Sequence, residues 1–185
     1  MANTKEVRFH SRGGLGLAVT TRMVVAAFGV EGRYASGLPS FGVERRGAPV
    51  IGYVRVSDQP IKEKSRVYHP HCLVIMDTFQ MSALATFEGL QPEATLVVDA
   101  PAMLEKSPHP NVKKIVTVDA TQIALEELGE PITNCVVLGA FGAGTGWLKM
   151  DSITGILDQF FRGDLLKKNI RCAERGYKEI QVKEL

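Results

Sequence analysis

Four residues near the N-terminus, Gly13-Gly14-Leu15-Gly16, have the composition of a phosphate-binding turn. They lie between a strand-like segment, Glu6–His10, and an apolar run, Leu17–Val30, whose spacing predicts a helix. A glycine turn that opens a helix leaves free backbone N–H groups at the positive end of the helix dipole, where phosphates bind. A tight turn between a strand and a helix, with no ligand, is the alternative interpretation.

The glycine turn departs from the two common nucleotide-binding fingerprints. In GxGxxG the third glycine would fall at Val19, and the acidic residue expected about 20 positions further on is missing, since the nearest candidate is Glu31. The P-loop pattern, GxxxxGK followed by Ser or Thr, does not occur. These departures argue against a free-standing nucleotide-dependent dehydrogenase, while a phosphate group near the turn stays compatible with the sequence.

The second candidate for anion binding is the pair Arg45-Arg46, within the stretch SFGVERRGAPV that runs from Ser40 to Val50. A guanidinium group binds phosphate or carboxylate through two parallel hydrogen bonds, and the adjacent Gly47 would let an anion approach the backbone. Glu44 could hold one of the two arginines in place. A solvated, charged turn before a strand is the alternative interpretation.

The histidines show no metal-binding pattern. On a strand, His69 and His71 would point to the same side and could form a metal-binding edge, but no third ligand follows nearby, so a surface or strand-entry pair is favoured. His10 ends the first predicted strand beside the glycine turn, where it could contact a ligand or serve a structural purpose.

The bulk composition predicts an ordinary globular protein. The chain has 185 residues, a hydrophobic fraction of 45%, a charged fraction of 23% and a net charge of +2, too small for a nucleic-acid-binding surface. No apolar run reaches the length of a membrane span, and the start MANTKEVRFH lacks the apolar region of a signal peptide. The cysteines form no CxxC pair and are expected to be buried in a reducing compartment, with the cytoplasm as the default: Cys72, Cys135 and Cys172.

The remaining pattern predicts an α/β fold. After a loop that carries Pro39, strands are predicted at VIGYVRVSD, CLVIMD, ATLVVDA and KKIVTVDA. The continuously apolar CLVIMD is typical of a central strand covered on both faces. The last three strands end in Asp77, Asp99 and Asp119, which we expect to cap the following segments, with Gln122 as the capping-box partner of Asp119.

Helices are predicted between and after these strands. A helix is expected from Thr78 to Phe87, and NCVVLGAFGAGTGWL is either a closely packed helix or a second phosphate loop, of which we favour the helix. DSITGILDQFF predicts a helix capped by Asp151, and a last helix should end at Gly176, followed by a polar surface tail. The sequence therefore predicts one Rossmann-like α/β domain with a mainly parallel, twisted sheet flanked by helices.

No complete catalytic set is present. The sequence has no GxSxG, no HExxH and no thiamine-diphosphate signature of GDG followed by NN. We therefore expect no catalytic residue in this chain and no metal ligands.

Two motifs in this order make the pattern specific. EVRFHSRGGLG, followed by EGRYASGLPSFGVERRGAPV, resembles the gamma subunit of the 2-oxoacid:ferredoxin oxidoreductases, the pyruvate/ketoisovalerate oxidoreductase catalytic domain family. The later segments NCVVLGAFGAGTG and MDSITGIL resemble the C-terminal half of the same family. The resemblance covers essentially the whole chain, and it implies one domain of this type over residues 1–185.

The resemblance implies a subunit of a heteromeric enzyme. Such complexes oxidatively decarboxylate a 2-oxoacid to an acyl-CoA and CO2, with thiamine diphosphate and Mg²⁺ between alpha and beta subunits. Iron–sulfur clusters of the 4Fe–4S type in the beta and delta subunits pass electrons to ferredoxin, or to NAD through an added subunit. The gamma subunit packs on these partners and helps to bind coenzyme A. Pyruvate, branched-chain and aromatic 2-oxoacids and 2-oxoglutarate all remain compatible with this chain.

By the same resemblance, the residues that contact coenzyme A would be Gly13, Gly14, Leu15, Gly16, Ser40, Arg45, Arg46 and Gly47. The arginines would bind its phosphates. In the family the turn commonly reads GGQG, so Leu15 here removes any polar contact of a glutamine. The alternative is a purely structural subunit whose arginine pair and Gly/Ala-rich helix only contact other subunits.

Overall fold

The computed structural model describes residues 4–41 and 48–185, without the side chains of residues 39–41 and 84. Within these residues the strands are β1 (Lys5–Arg12), β2 (Tyr34–Phe41), β3 (Pro49–Ser57), β4 (Cys72–Ile75), β5 (Ala94–Asp99), β6 (Val112–Val118) and β7 (Gln181–Glu184). The α-helices are α1 (Leu17–Val30), α2 (Ala120–Leu128), α3 (Asn134–Thr145), α4 (Met150–Thr154) and α5 (Gly163–Lys178). Short 3-10 helices cover Thr78–Ser82, Leu84–Thr86 and Leu157–Gln159.

The described strands form a single seven-stranded sheet in the order β2-β3-β1-β4-β5-β6-β7. The four central strands, β1, β4, β5 and β6, are parallel. Antiparallel pairs extend the sheet at both edges, with β3 and β2 on one side and β7 on the other. The predicted α/β domain, with a mainly parallel sheet flanked by helices, is confirmed, and the antiparallel edges add to it.

The two faces of the sheet are covered differently. One face packs against the α-helices in a core that contains Phe9, Phe28 and Phe141. The other face carries a smaller core around Leu73 and Ile75, covered by the segment with the 3-10 helices and by the loop before β6. All four residues of β4 are buried, as its continuous apolar run predicts for a central strand.

The Gly/Ala-rich segment forms the packed helix α3, which confirms the favoured interpretation of NCVVLGAFGAGTGWL. A Cβ on Gly139 would collide with the backbone carbonyl of Ala173 in α5, and one on Gly176 would collide with the carbonyl of Val136 in α3. Glycine at both positions therefore lets the two helices approach closely. Gly176 lies inside α5, so the predicted helix end at this residue is wrong.

Three further predictions of local structure are corrected. Pro39 lies in edge strand β2 rather than in a loop, and the expected helix from Thr78 to Phe87 is two short 3-10 helices. Asp151 lies inside the first turn of α4, which ends after five residues and does not continue through DSITGILDQFF. The polar tail lies on the surface, as predicted, where its backbone pairs with the open edge of β6 to form β7.

The predicted burial of the cysteines is confirmed, since all three are buried free thiols. None of the described helices combines the length and apolar character that a membrane crossing requires.

Candidate functional site

The glycine turn joins β1 to α1. Gly16 has a left-handed backbone with φ of 79°, and a Cβ there would approach Asn134 Nδ2 to 3.1 Å, so both conformation and space favour glycine. No side chain of the described residues caps α1. Among the described residues, the N–H groups of Gly14, Gly16, Leu17 and Ala18 have no hydrogen-bond acceptor. The turn is therefore an open, positively polarised helix end, which can receive an anion.

The turn lies at the point where the chain connections leave the sheet on opposite faces. Strands β1 and β4 are adjacent and parallel. The chain after β1 enters α1 on the helix-covered face, whereas the chain after β4 covers the other face. In open α/β sheets, ligands bind in the crevice that such diverging connections leave at the carboxyl ends of the strands.

One ion pair spans this crevice. Arg12 ends β1, and its Nε lies 3.4 Å from Oδ2 of Asp77, which follows β4. The Asp77 side chain is 12% exposed and also accepts a hydrogen bond from the Phe79 amide, whereas Arg12 is 55% exposed. Asp77 therefore holds a mostly exposed guanidinium beside the glycine turn. Arg12 was not predicted as a site residue, although it directly precedes the glycine turn in sequence and therefore had to lie beside it.

A cavity of about 390 Å³ continues from the crevice along the carboxyl ends of β4, β5 and β6. Its wall includes Arg12, Leu15, Asp77, Asp99, Asp119 and Gln122. The three carboxyl groups in its wall repel a phosphate, so a phosphate is favoured at the glycine turn rather than deep in the cavity.

The aspartates act as caps, as expected, but in an arrangement that the sequence did not specify. Asp119 accepts from the Gln122 amide, while the Gln122 side chain donates to Glu126 and does not complete the capping box. Asp99 accepts from the amides of Ala120 and Thr121 at 2.8 and 3.2 Å, and thus caps α2 rather than the segment after β5. Burial raises the pKa of Asp99 above its ordinary value, and the Thr121 hydroxyl opposes this shift by donating to the carboxylate.

The second predicted ligand-binding segment is only partly described. Arg45, Arg46 and Gly47 lie outside the described residues, and so does the side chain of Ser40, whose backbone pairs with Ile51 in the sheet. Of the predicted ligand-binding residues, the structure places Gly13, Gly14, Leu15 and Gly16 at the crevice.

The chain on either side of this segment is placed beside the glycine turn. The Gly13 amide donates to the Ala48 carbonyl at 2.9 Å, and Arg12 lies opposite Pro49 in the sheet. Phe41 pairs with Val50 on the neighbouring strand. Residues 41 and 48, which flank this segment, therefore lie at the same end of the strands as the glycine turn.

The histidines are structural in the described parts of the chain. His71 directly precedes β4 and its Nδ1 accepts the Glu6 amide at 3.1 Å, while His69 is exposed, in agreement with the favoured interpretation of a surface or strand-entry pair. His10 is buried on β1 and accepts from Arg8. Burial, with a smaller effect of the Arg8 charge, lowers the pKa of His10 to about 3, so its ring is neutral. No group of three His, Cys, Asp or Glu side chains among these residues could hold a metal ion.

The fold and crevice define an α/β domain whose glycine turn forms an open helix end at the carboxyl ends of the strands. Residues 6–179 match the model of the family "Pyruvate ferredoxin/flavodoxin oxidoreductase", and the chain belongs to this family. It is a subunit of a multisubunit 2-oxoacid oxidoreductase, of the gamma type. The resemblance deduced from the sequence motifs is thereby confirmed.

Known proteins of this type are similar over nearly their full length. The common gamma subunit of the pyruvate/ketoisovalerate oxidoreductases of Pyrococcus furiosus is 40% identical over 187 residues, which cover 97% of this chain and 99% of that subunit. A pyruvate oxidoreductase subunit of Thermotoga maritima has a TM-score of 0.86 and 29% identity, with 98% and 99% of the two chains covered. The fold also recurs in a 2-oxoglutarate:ferredoxin oxidoreductase of Magnetococcus marinus, solved with coenzyme A bound, at a TM-score of 0.76 and 17% identity over 95% of this chain and 30% of that chain.

Proposed function

We propose that this subunit helps to bind coenzyme A in a complex that oxidatively decarboxylates a 2-oxoacid to an acyl-CoA and CO2. The observation that carries the proposal is the uncapped glycine turn at the crevice between β1 and β4. Its free amides and the adjacent Arg12 favour an anion, and coenzyme A presents phosphates as anions. The Magnetococcus protein, which shares the fold, binds coenzyme A.

In this proposal Arg45 and Arg46 supply the remaining positive charge. Ala48 is bonded to Gly13, and Arg46 is two residues away from it along the chain. An extended chain spans at most about 3.6 Å per residue, so the Cα atoms of Arg46 and Arg45 stay within about 7 and 11 Å of Ala48. An arginine side chain attached within these limits is long enough to reach a phosphate at the turn. Ser40 and Gly47 complete the proposed set of contact residues.

The proposed chemistry of the complex follows its family. Thiamine diphosphate and Mg²⁺ would be held by the alpha and beta subunits, and 4Fe–4S clusters by the beta and delta subunits. Ferredoxin, or NAD through an added subunit, would accept the electrons. This chain would supply binding groups for coenzyme A and contacts to its partners, as one domain over residues 1–185, in the cytoplasm.

The test replaces both arginines in the assembled complex. In Arg45→Ala/Arg46→Ala we expect the apparent KM for coenzyme A to rise about 10-fold or more, because a charge-assisted hydrogen bond contributes roughly 1–3 kcal/mol. The KM for the 2-oxoacid should not change. The matched control is Lys106→Ala/Lys113→Ala, which removes two exposed positive charges elsewhere. An unchanged coenzyme A KM in the arginine variant would show that the phosphate-binding part is wrong.

The second candidate function is a purely structural assembly subunit without ligand contact. The close α3–α5 packing shows that the Gly/Ala-rich helix is used inside the chain, since Gly139 and Gly176 face helix backbones rather than solvent. That leaves the arginine pair as the remaining predicted assembly contact. If Arg45→Ala/Arg46→Ala chains fail to co-purify with the other subunits while the Lys106→Ala/Lys113→Ala chains assemble, the arginines serve assembly.

A further inference from the structure

Two buried arginines lie on the sheet face that carries no α-helix in the described residues, and they differ in their counter-charges. Arg55 on β3 is 5% exposed. Its Nε donates to Glu6 Oε1 at 2.6 Å, its Nη2 lies 3.3 Å from Glu63 Oε1, and its Nη1 donates to the Ser65 carbonyl at 2.6 Å. Two carboxylates therefore neutralise Arg55 within the chain.

Arg8 on β1 is 7% exposed, but it forms no ion pair with any described residue. Its Nε donates to His10 Nε2 at 3.0 Å. Its Nη2 donates to the carbonyl oxygens of Thr86 and Glu88, at 2.7 and 2.9 Å. A guanidinium has five N–H groups, so the two on Nη1 have no acceptor among the described residues. Burial lowers the pKa of Arg8, which reflects the unfavourable desolvation of its charge.

Two further hydrogen-bond donors lie beside Arg8. His10 Nε2 accepts from Arg8, so the neutral ring carries its proton on Nδ1, which has no partner in the described parts of the chain. Tyr53 lies directly opposite Arg8 on β3 and is 6% exposed, and its hydroxyl likewise has no described partner. None of the three atoms Arg8 Nη1, His10 Nδ1 and Tyr53 Oη is fully shielded from solvent. Arg8, His10 and Tyr53 thus form a donor cluster without an acceptor among the described residues.

An unpaired buried charge is costly, and buried arginines in folded proteins are normally paired. The nearest carboxylate that influences Arg8 is that of Glu88, which belongs to an exposed residue and makes no ion pair with it. The contrast with Arg55 shows that this face can supply carboxylates to a buried arginine. Arg8 Nη1 is not fully shielded from solvent, so an acceptor supplied from outside the described residues can reach it.

The surroundings of the cluster are apolar. Tyr34 and Leu38 of β2 share the sheet face of Arg8 and Tyr53, because directly opposed residues in antiparallel strands point to the same side. These two side chains are 50% and 40% exposed. Such side chains can exclude water from a neighbouring arginine, as the residues around an interface hot spot do.

We propose that the face formed by Tyr34, Leu38, Tyr53, His10 and Arg8 is a docking surface for another subunit of the oxidoreductase, which inserts an aspartate or glutamate carboxylate beside Arg8. The carboxylate accepts from Arg8 Nη1 and the Tyr53 hydroxyl, while the His10 ring holds the Arg8 guanidinium through its Nε2. Each of the three residues is less than 10% exposed, which suits the tip of one acidic side chain. The proposal rests on membership of a multisubunit complex and is independent of coenzyme A binding.

The test compares Arg8→Met and Tyr53→Phe in the complex formed with the other subunits. Truncating one partner of a buried, hydrogen-bonded charge pair weakens association strongly, so Arg8→Met should raise the dissociation constant of this subunit at least about 30-fold. Tyr53→Phe removes one donor and should raise it about 3- to 10-fold. The isolated Arg8→Met chain should keep its Tm within a few degrees, because removal of an unpaired buried charge offsets its lost hydrogen bonds. Lys113→Met, which removes an exposed positive charge, is the control and should assemble normally.

Three outcomes would overturn the proposal. In the first, Arg8→Met assembles like the unmodified chain. In the second, Arg8→Met lowers the Tm of the isolated chain as much as it weakens assembly, while Tyr53→Phe changes neither. Arg8 would then only stabilise residues 86–88 within the chain. In the third, a 2-oxoacid or coenzyme A stabilises the isolated chain but not its Arg8→Met variant, which would assign the anion to a small molecule. An electron-microscopy structure of the complex with a partner carboxylate paired to Arg8 would support it directly.

Discussion

At the end of β5, the carboxyl group of Asp99 has to accept hydrogen bonds from α2 while it is 9% exposed. Burial raises its pKa, and the hydroxyl and amide donors of Thr121 work in the opposite direction. Because the folded pKa lies above the ordinary value of 3.8, the stability that the protonated group contributes is fully present below that value. It is lost as the pH rises through the folded pKa.

The first prediction concerns Asp99→Asn, which stays neutral at every pH. Relative to the unmodified chain, the variant should become progressively more stable as the pH rises above the ordinary pKa of 3.8, because only the unmodified chain has to bury a charge at the higher pH. Thermal unfolding at several pH values measures the difference. Thr121→Val should have the reverse effect and steepen the pH dependence, since it removes a donor that favours the carboxylate. Parallel pH profiles of all three proteins would contradict the prediction.

At the scale of elements, the crossing of α3 and α5 depends on two glycines that face the opposite helix. Gly139 and Gly176 are both too close to backbone atoms to accept a Cβ without movement of a helix. The clustering of small residues in NCVVLGAFGAGTGWL predicts such packing for α3. Gly176 has the appearance of a helix end in sequence, because the partner that requires it, Val136, lies 40 positions earlier in the chain.

Gly139→Ala should therefore lower the free energy of unfolding by about 3 kcal/mol, since overpacking against backbone cannot be relieved by a rotamer change. Gly29→Ala is the matched control, because Gly29 lies in α1 with open space around the position of a Cβ. This control should be neutral or raise the unfolding free energy by up to about 1 kcal/mol. Urea denaturation measures both, and equal effects of the two substitutions would contradict the close-packing argument.

At the scale of the whole molecule, the sheet ends in two strands that close its edges differently. β7 is short and charged, and it covers the edge of β6 through pairs such as Lys114 with Glu184. Short, charged edge strands prevent further strand pairing. β2 is an eight-residue edge strand with exposed Tyr34 and Leu38, in keeping with a surface that meets another subunit.

Deletion of residues 181–185 should expose the edge of the apolar strand β6. We expect a loss of about 2 kcal/mol in unfolding free energy, or roughly 4–8 °C in Tm, together with concentration-dependent association. Val182→Ala keeps the backbone ladder and removes a side chain that is 47% exposed, so it should have little effect. Calorimetry and size-exclusion chromatography provide the measurements. A truncated chain that stays monomeric with an unchanged Tm would show that β7 is dispensable.

The sequence by itself determined the features that depend on neighbouring residues. The glycine turn, the helix after it and the buried strand β4 follow from local spacing, composition and backbone freedom. The family also followed from the sequence, because its motifs are continuous stretches of chain. The edge strand β2 was missed, since Pro39 argues locally for a loop and its pairing partner on β3 is what makes the segment a strand.

Only the tertiary structure decided which distant residues meet. Arg12 and Asp77 come together because β1 and β4 are parallel neighbours, and Asp99 caps α2 because β5 and β6 end side by side. Arg8 and Arg55 are both buried arginines on neighbouring strands, yet among the described residues only Arg55 donates to carboxylates. The physical reason is that strand pairing and helix crossing are set by the combined packing of the whole chain, whereas a local pattern reports only which face of an element is buried.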